Sequence, residues 1–255
     1  MNYKSVNREL KKCASVKRKK STKRFFKTGK GEYGQYDSFM GVSGSYTREI
    51  AKKFADLNYI ELQKVISSKF NEERSCALII LVNRYRKKKT SEKERDRIYK
   101  FFLKNLKNIN NWNLVDIATP HILGEHLASH KEEIKILDKL SSSKVHWHRR
   151  VSILATWGFI KRNNLQQTLR IAKKLLGDNE DLMHKAVGWM LREAWKLGEF
   201  SKKKTIKENK RGKIAQKKVE DFLIKNYHQL SRTTLRYSIE RMEEEKRKKF
   251  LRGEF

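Results

Sequence analysis

The sequence predicts an all-α protein, and three observations carry that prediction. The chain of 255 residues holds one proline and twelve glycines. Runs of alternating β-branched residues, which indicate half-buried strands, are few. Apolar residues instead recur every three to four positions, the spacing that gathers them on one face of a helix. A chain of this length can bury a substantial core, and we expect a single domain over residues 1–255.

The charge of the chain predicts its class of partner. Sixty-one Lys and Arg stand against 29 Asp and Glu, a formal net charge of +32. Polyanions are therefore expected to bind, nucleic acid before an anionic membrane surface. The longest apolar run, 76–82, is too short to span a bilayer. We expect a soluble, cytoplasmic monomer with no membrane partner. Cys13 and Cys76 lack metal-ligand spacing and suggest a reducing compartment.

The first 24 residues predict one or two basic helices, which are either a solvated arm or a DNA-facing pair. Residues 28–45 contain five glycines and are predicted to form a loop. Their spacing is irregular and no strand precedes them, so a phosphate-binding glycine loop is not expected. After this loop the periodicity predicts a series of short helices at 46–56, 59–69, 72–88, 91–108, 111–118, 120–130, 132–142, 146–162, 164–176 and 181–198.

Four of these helices open with polar or basic residues and then become strongly apolar. The openings lie at Arg74, Asn113, Arg150 and Lys185, which are 39 (113−74), 37 (150−113) and 35 (185−150) residues apart. This period is typical of stacked helical-pair repeats of the HEAT type. The predicted architecture is an α-solenoid of HEAT-like repeats with a concave basic groove, and equivalent helices would place these openings on one surface.

The last part of the chain predicts a loop and two helices. Residues 201–218 are rich in lysine and are predicted to form a mobile surface loop. The two helices are expected at about 219–228 and 231–247. Ser231 would cap the second of these, and its acidic-then-basic end from Glu243 to Lys249 would suit the helix dipole.

The segment 111–120 is the predicted location of the chemistry. No Lys or Arg occurs from Asn108 to His130, although the chain is strongly basic. Trp112 and Asp116 are four residues apart, so a helix would project both from one face. The carboxylate could cap a helix end or pair with an arginine. It could instead stabilise a cationic sugar and orient water.

Other candidate residues follow from the same helical spacing. Trp157 and Trp195 are expected in the core, whereas Trp112 and Trp189 stand near polar helix starts and could meet a sugar or base. Arg150 shares an apolar stripe with Trp147 and Leu154, which would hold its guanidinium for a phosphate contact. Arg149 lies on an adjacent stripe, and periodicity does not choose between the two. The histidine spacing does not favour a metal site, and no cofactor is expected.

Six short motifs along the chain carry a family resemblance. They are FFKTGKGEYG at 25–34, FMGV at 39–42, WNLVD at 112–116, WHRRVSI at 147–153, HKAVGWMLRE at 184–193 and RTTLRYSIER at 232–241. Together they resemble the AlkD-like DNA alkylation repair glycosylases. The similarity runs from about residue 25 to residue 251, with the motifs in family order.

This resemblance implies a HEAT-like solenoid that binds double-stranded alkylated DNA and releases cationic N3- or N7-alkylated purines. It assigns catalysis to Asp116, the sugar-flanking aromatic positions to Trp112 and Trp189, and phosphate binding to Arg150. Arg149, Lys185 and Arg74 are further expected DNA contacts on the same surface. A rival interpretation is a non-catalytic module that binds branched or distorted DNA, and a third is an RNA-binding solenoid.

The sequence departs from the family pattern at three places. Ser43-Gly44 stands where many relatives have proline, and Asp181-Leu182 replaces an aromatic pair that some members carry. The lysine-rich insertion near 201–216 is also longer than usual, and we expect it to add DNA contacts.

Overall fold

The computed structural model describes residues 1–199 and 205–255, and within them the predicted all-α class is confirmed. The one β feature there is an isolated bridge between Ser38 and Phe70. The α-helices are α1 (Tyr3–Lys12), α2 (Val16–Phe25), α3 (Gly44–Lys53), α4 (Tyr59–Ile66), α5 (Asn71–Arg86), α6 (Glu92–Lys104), α7 (Trp112–Ala118), α8 (Glu125–Ser129), α9 (Lys135–Ser141), α10 (His146–Ala155), α11 (Trp157–Ile160), α12 (Gln166–Lys174), α13 (Asp181–Lys196), α14 (Ile206–Lys225), α15 (Arg232–Ser238) and α16 (Glu244–Arg252).

The helices form two compact units, residues 1–123 and residues 124–255. The prediction of a single domain over residues 1–255 stays a prediction. No helix of the described residues is both long and apolar enough to cross a membrane.

Unit 1 is built around α5, which packs against α3, α4 and α7. Its sequence suits a helix, because Glu72 and Glu73 lie in the first turn and Arg84 and Arg86 in the last, each favourable to the helix dipole. The middle of α5, residues 76–82, is apolar all round, as expected of a helix with neighbours on several sides. Because α5 is central in unit 1, its packing determines where α7 lies.

Unit 2 is built around α13, which packs against α10, α14 and α15. Gly188 allows α15 to pack closely against α13. A Cβ atom there would lie 2.5 Å from Tyr237 Cβ and 2.7 Å from the Thr234 carbonyl oxygen. A residue without a side chain is therefore needed immediately before Trp189.

The repeat register predicted from sequence recurs in the helices. Arg74, Asn113, Arg150 and Lys185 lie within the first five residues of α5, α7, α10 and α13. In unit 1 the helix α5 packs on α7, and in unit 2 α10 packs on α13. This arrangement fits a helical-repeat solenoid. The expectation that all four openings share one surface involves both units and stays a prediction.

The predicted lysine-rich loop at 201–218 is wrong from residue 206 onward, because α14 begins there. Thr205 and Glu208 form a capping box that starts the helix. Gly212, Ala215, Val219 and Leu223 form its buried face. Residues 201–204 lie outside the described residues.

The predicted helix 231–247 is two helices, α15 and α16, separated by residues 239–243. Ser231 caps α15 as predicted, and its side chain accepts from the Thr234 N–H. Glu244 and Glu245 begin α16 rather than end the preceding helix. The acidic-then-basic order therefore complements the dipole of α16 along its whole length.

Candidate functional site

The start of α7 is fixed to α5 by a buried network of polar side chains. Asp37 accepts from Asn71 Nδ2 at 3.0 Å and from Asn111 Nδ2 at 2.5 Å. Asn113 Nδ2 donates to Asn71 Oδ1 at 2.7 Å. Asn111 is fully buried and its side chain also accepts from the Trp112 N–H at 2.7 Å. Because buried polar groups are costly unless paired, this network sets the position of α7.

Trp112 is held by aromatic rings that come from the end of α2. The Phe26 ring stacks on Trp112 with a centroid separation of 4.9 Å and an interplanar angle of 9°. Phe25 approaches the Trp112 ring edge-on, with a centroid separation of 5.7 Å. Phe39 packs against Phe26, with a centroid separation of 4.8 Å. The orientation of the indole is therefore set by packing.

Trp112 and Asp116 line one cavity of about 730 Å³ in unit 1. Both are half-buried and lie one helical turn apart on α7, as the spacing predicts. The other lining residues include Phe26, Asn113 and His121. The aromatic face and the carboxylate are thus presented to the same space.

Glu72, the second carboxylate of the cavity, supports the adjoining loop. Its carboxylate accepts from the backbone N–H groups of Met40, Gly41 and Val42, at 3.0, 2.8 and 3.2 Å. Gly41 has φ of +89°, and a Cβ atom there would lie 2.3 Å from the Ser15 carbonyl oxygen. The loop therefore packs directly against the start of α2.

Exposed cations from three helices border the cavity. Arg18 comes from α2, Arg48 and Lys52 from α3, and Arg86 from α5. Among the described residues, α2 has no buried residue, yet Arg18, Thr22 and Phe26 line the cavity at four-residue intervals. The cavity combines a carboxylate and an aromatic wall on α7 with a cationic rim.

Arg74 does not fit the expected DNA contact. Its side chain is 7% exposed and forms an ion pair with Asp37, which is 2% exposed. Its Nη1 also donates to Asn110 Oδ1 at 3.0 Å. These bonds hold the guanidinium inside the protein, where it positions the segment before α7.

The two candidate arginines of α10 differ in their surroundings. Arg149 bonds Asp178 through Nε at 2.5 Å and Nη2 at 3.1 Å, and its Nη1 donates to the Ser143 carbonyl at 2.9 Å. These hydrogen bonds engage all three nitrogens of the Arg149 guanidinium. The expected DNA contact of Arg149 therefore does not fit the structure. Arg150 is buried among apolar neighbours as the stripe predicts, and its Nη1 donates to the Leu182 carbonyl at 2.5 Å.

Trp189 and Lys185 lie on α13. Trp189 is half-buried, and its Nε1 donates to Glu193 Oε1 at 3.2 Å. Lys185 pairs with Asp181 at 2.6 Å, and its side chain is 39% exposed. Hydrogen bonding from Lys185 lowers the pKa of Asp181.

Two histidines lie in the first turn of α10. Burial lowers the pKa of both His146 and His148 from the ordinary value for histidine. Burial thus favours the neutral form of both rings. Within residues 1–199 and 205–255, no group of three or more His, Cys, Asp and Glu side chains could hold a metal ion.

Sequence reasoning missed the residues that build the cavity around α7. Phe26 was quoted for its motif, but nothing indicated that it stacks on Trp112. Glu72 and Asp37 were not singled out. The available signal was local: two acids at a helix start and an acid in a glycine-rich loop are positions from which carboxylates bind backbone N–H groups or fixed cations.

The fold and the cavity define a class: an all-α helical-repeat protein whose unit 1 cavity has a cationic rim. The family model described as DNA alkylation repair enzyme matches residues 6–242, so the chain belongs to this family. A solved structure described as a predicted DNA alkylation repair enzyme from Enterococcus faecalis shares the fold. Its TM-score is 0.63 at 15% identity, over 91% of this chain and 97% of that chain. A comparison with curated proteins found no significant match.

Proposed function

We propose that this protein is a DNA glycosylase that hydrolyses the N-glycosidic bond of cationic N3- or N7-alkylated purines in duplex DNA. The observation that carries the proposal is the placement of Asp116 and Trp112, one turn apart on α7, on the wall of one cavity. Membership of a DNA alkylation repair family supports a repair role. We propose Asp116 as the catalytic carboxylate.

The chemistry requires few groups. Alkylation at N3 or N7 makes the purine a cation, so its bond to C1′ breaks without a general acid and the electron pair neutralises the departing base. Positive charge then develops on the sugar. The Asp116 carboxylate stabilises that charge and orients the water that adds to C1′, and the proton lost by the water passes to the carboxylate or to solvent.

The charges of the cavity suit a substrate of this kind. Backbone phosphates are attracted by the cations on the rim, which come from α2, α3 and α5. A cationic purine is instead favoured beside a carboxylate and an indole face, which attract positive charge. The site would therefore accept anionic and cationic parts of one damaged nucleotide at different positions.

Residues of unit 2 complete the proposal. We assign phosphate binding to Arg150, a second aromatic contact to Trp189 and a further DNA contact to Lys185. For Arg150 we retain the role that the family resemblance implies; its guanidinium is itself buried and donates to the Leu182 carbonyl. The Arg149 fork is occupied by Asp178 and two carbonyl groups. The protein would act in the cytoplasm as a monomer on double-stranded DNA.

A non-catalytic module that binds distorted DNA is the second candidate function. The excess of cations on the rim of the cavity favours it as much as it favours the enzyme. Both functions predict binding that weakens steeply with salt, so affinity does not separate them.

Release of 7-methylguanine and 3-methyladenine from methylated duplex DNA tests the proposal. Asp116→Asn keeps the shape of the side chain and removes its charge, and we expect it to lower the rate by about 100-fold or more. Asp56→Asn makes the same change at an exposed position outside the cavity and should keep the wild-type rate.

Two results would contradict the proposal. If the wild-type protein releases neither base, the non-catalytic module is the better description. If folded Asp116→Asn, checked by circular dichroism, is as active as Asp56→Asn, the catalytic assignment is wrong.

A further inference from the structure

Residues 206–218 of α14 form a strongly cationic segment. Its six cations are all exposed, and no ion pair joins any of them to another described residue. They are Lys207, Lys210, Arg211, Lys213, Lys217 and Lys218. The single acid of this segment, Glu208, is engaged with Thr205 in the capping box.

Helix stability does not account for this arrangement. The helix dipole acts within the first and last turns, where α14 has Glu208 and Lys225, so the dipole does not explain the cations between them. Lys207, in the first turn, is placed against the dipole. Cations that neither the dipole nor an acidic partner among the described residues stabilises indicate a surface that an anion neutralises.

Part of this surface is concave. Arg211, Ile214 and Lys218 face the turn after α11 across a cavity of about 340 Å³, which Arg162 and Asn163 line from the other side. None of the described residues that line it is a carboxylate. Arg162 Nη1 is held by the Gly158 carbonyl at 2.9 Å and by Glu125 Oε2 at 3.0 Å. Asn163 has φ of +56°, which turns the chain beside the cavity.

We propose that this cavity is an additional anion-binding site of the protein, which takes a phosphodiester of a nucleic-acid backbone. It uses none of the residues of the α7 cavity, and it rests on the proposed function for the choice of polyanion. Arg211 and Lys218 would donate to the phosphate, and Lys207, one turn before Arg211, would extend the contact along the strand.

A nucleic acid suits α14 better than a lipid surface. Insertion into a membrane needs a continuous apolar face on the helix. The exposed apolar residues of α14 are Ile206, Ile214 and Ile224. By helical position, Lys210, Lys213 and Lys217 lie among them on the same side, so no such face exists there. The exposed cations of α14 are therefore not accompanied by the continuous apolar face that membrane insertion requires.

The test compares two pairs of cations on the same helix. Arg211→Gln with Lys218→Gln changes the cavity, whereas Lys210→Gln with Lys217→Gln removes the same charge at the same seven-residue spacing outside it. Binding of a labelled undamaged duplex to the full chain is measured between low and moderate salt, and melting temperatures check that both variants are folded.

The cavity pair should weaken binding roughly tenfold more than the control pair, because directed charge-assisted hydrogen bonds are lost. The slope of log affinity against log salt should become shallower by roughly 0.9 for each phosphate contact removed. Equal losses for both pairs would overturn the proposal, since they would indicate general charge alone. It would also be overturned if only binding to phosphatidylserine vesicles, and not to DNA, depended on the cavity pair.

This comparison is independent of catalysis. If the wild-type protein releases no alkylated purine, the proposed function fails, but the two pairs still decide whether the α14 cavity binds nucleic acid. If base release is observed and the pairs are equivalent, the enzyme stands and the α14 site does not.

Discussion

At the scale of single residues, the cavity of unit 1 depends on the two side chains that α7 presents to it, Trp112 and Asp116. Helical periodicity states which residues share a face, and that prediction is confirmed for α7. It carries no information on which distant ring meets that face. Phe26 lies 86 positions before Trp112 (112−26) and stacks on it through a tertiary contact. Such contacts depend on how helices pack, which periodicity alone leaves open.

The arginines show the same limit. Arg74, Arg149 and Arg150 all stand near the start of a repeat helix, and the sequence made each a candidate for DNA binding. In the structure Arg74 forms an ion pair with Asp37, and Arg149 forms one with Asp178. These two arginines are therefore structural. Both aspartates lie in loops about 30 or more residues away along the chain. A buried carboxylate in a loop can thus convert an apparent ligand-binding cation into a structural one.

Glu72 provides a prediction at this scale. Glu72→Ala would leave the buried N–H groups of Met40, Gly41 and Val42 without their acceptor. An unsatisfied buried group costs about 1–3 kcal/mol. Allowing for partial access of water to the loop, we expect urea unfolding to show a loss of about 2–4 kcal/mol.

Two further variants serve as comparisons for Glu72→Ala. Glu72→Gln retains one acceptor oxygen and should lose less stability than Glu72→Ala. Glu49→Ala removes an exposed glutamate of α3 and should change stability by no more than about 0.5 kcal/mol. A Glu72→Ala loss as small as that of Glu49→Ala would contradict the supporting role of this carboxylate.

At the scale of helices, α14 shows why one predicted loop was wrong. Its buried face includes Gly212 and Ala215, two small residues that contribute little to an apolar pattern. Small residues are required there because a Cβ atom on Gly212 would lie 2.3 Å from the Leu197 carbonyl oxygen. Lysines dominate the composition of α14, and a buried face that includes small residues produces only a weak apolar periodicity. A helix that packs closely through small residues can therefore lack the apolar pattern by which helices are predicted from sequence.

The contact between α13 and α15 gives the prediction for this scale. Gly188→Ala would bring a methyl group within 2.5 Å of Tyr237 Cβ and 2.7 Å of the Thr234 carbonyl oxygen, atoms that cannot move away without their helix. Overpacking of this kind costs about 1–3 kcal/mol. This exceeds the gain in helix propensity of about 1 kcal/mol. We expect a net loss of stability in urea unfolding.

Gly177→Ala is the matched control. Nothing lies within 4 Å of a Cβ atom at that position, and its backbone is not left-handed. The substitution should be neutral or slightly stabilising, because alanine restricts the unfolded chain. Equal stabilities of the two variants would show that α13 and α15 are not held as closely as described.

At the scale of the whole molecule, net charge opposes folding and favours binding. The excess of 61 cations over 29 acids gives +32, a net charge that ion pairs within the chain cannot reduce because each joins one cation to one acid. Repulsion of this size destabilises the compact state. The same charge attracts a polyanion and releases its counterions on binding. Folding and DNA binding should therefore respond to salt in opposite directions, a consequence that composition alone predicts.

A salt series measures both responses on one sample. Between about 0.01 M and 0.1 M NaCl the screening length falls from about 30 Å to about 10 Å. Because self-repulsion is then screened, the melting temperature should rise, by about 2–4 °C for each kcal/mol of repulsion removed. Duplex affinity should fall steeply over the same range. A melting temperature that falls with salt would mean that attractive pairs such as Lys161–Glu125 outweigh the repulsion of the unpaired cations, including those of α14.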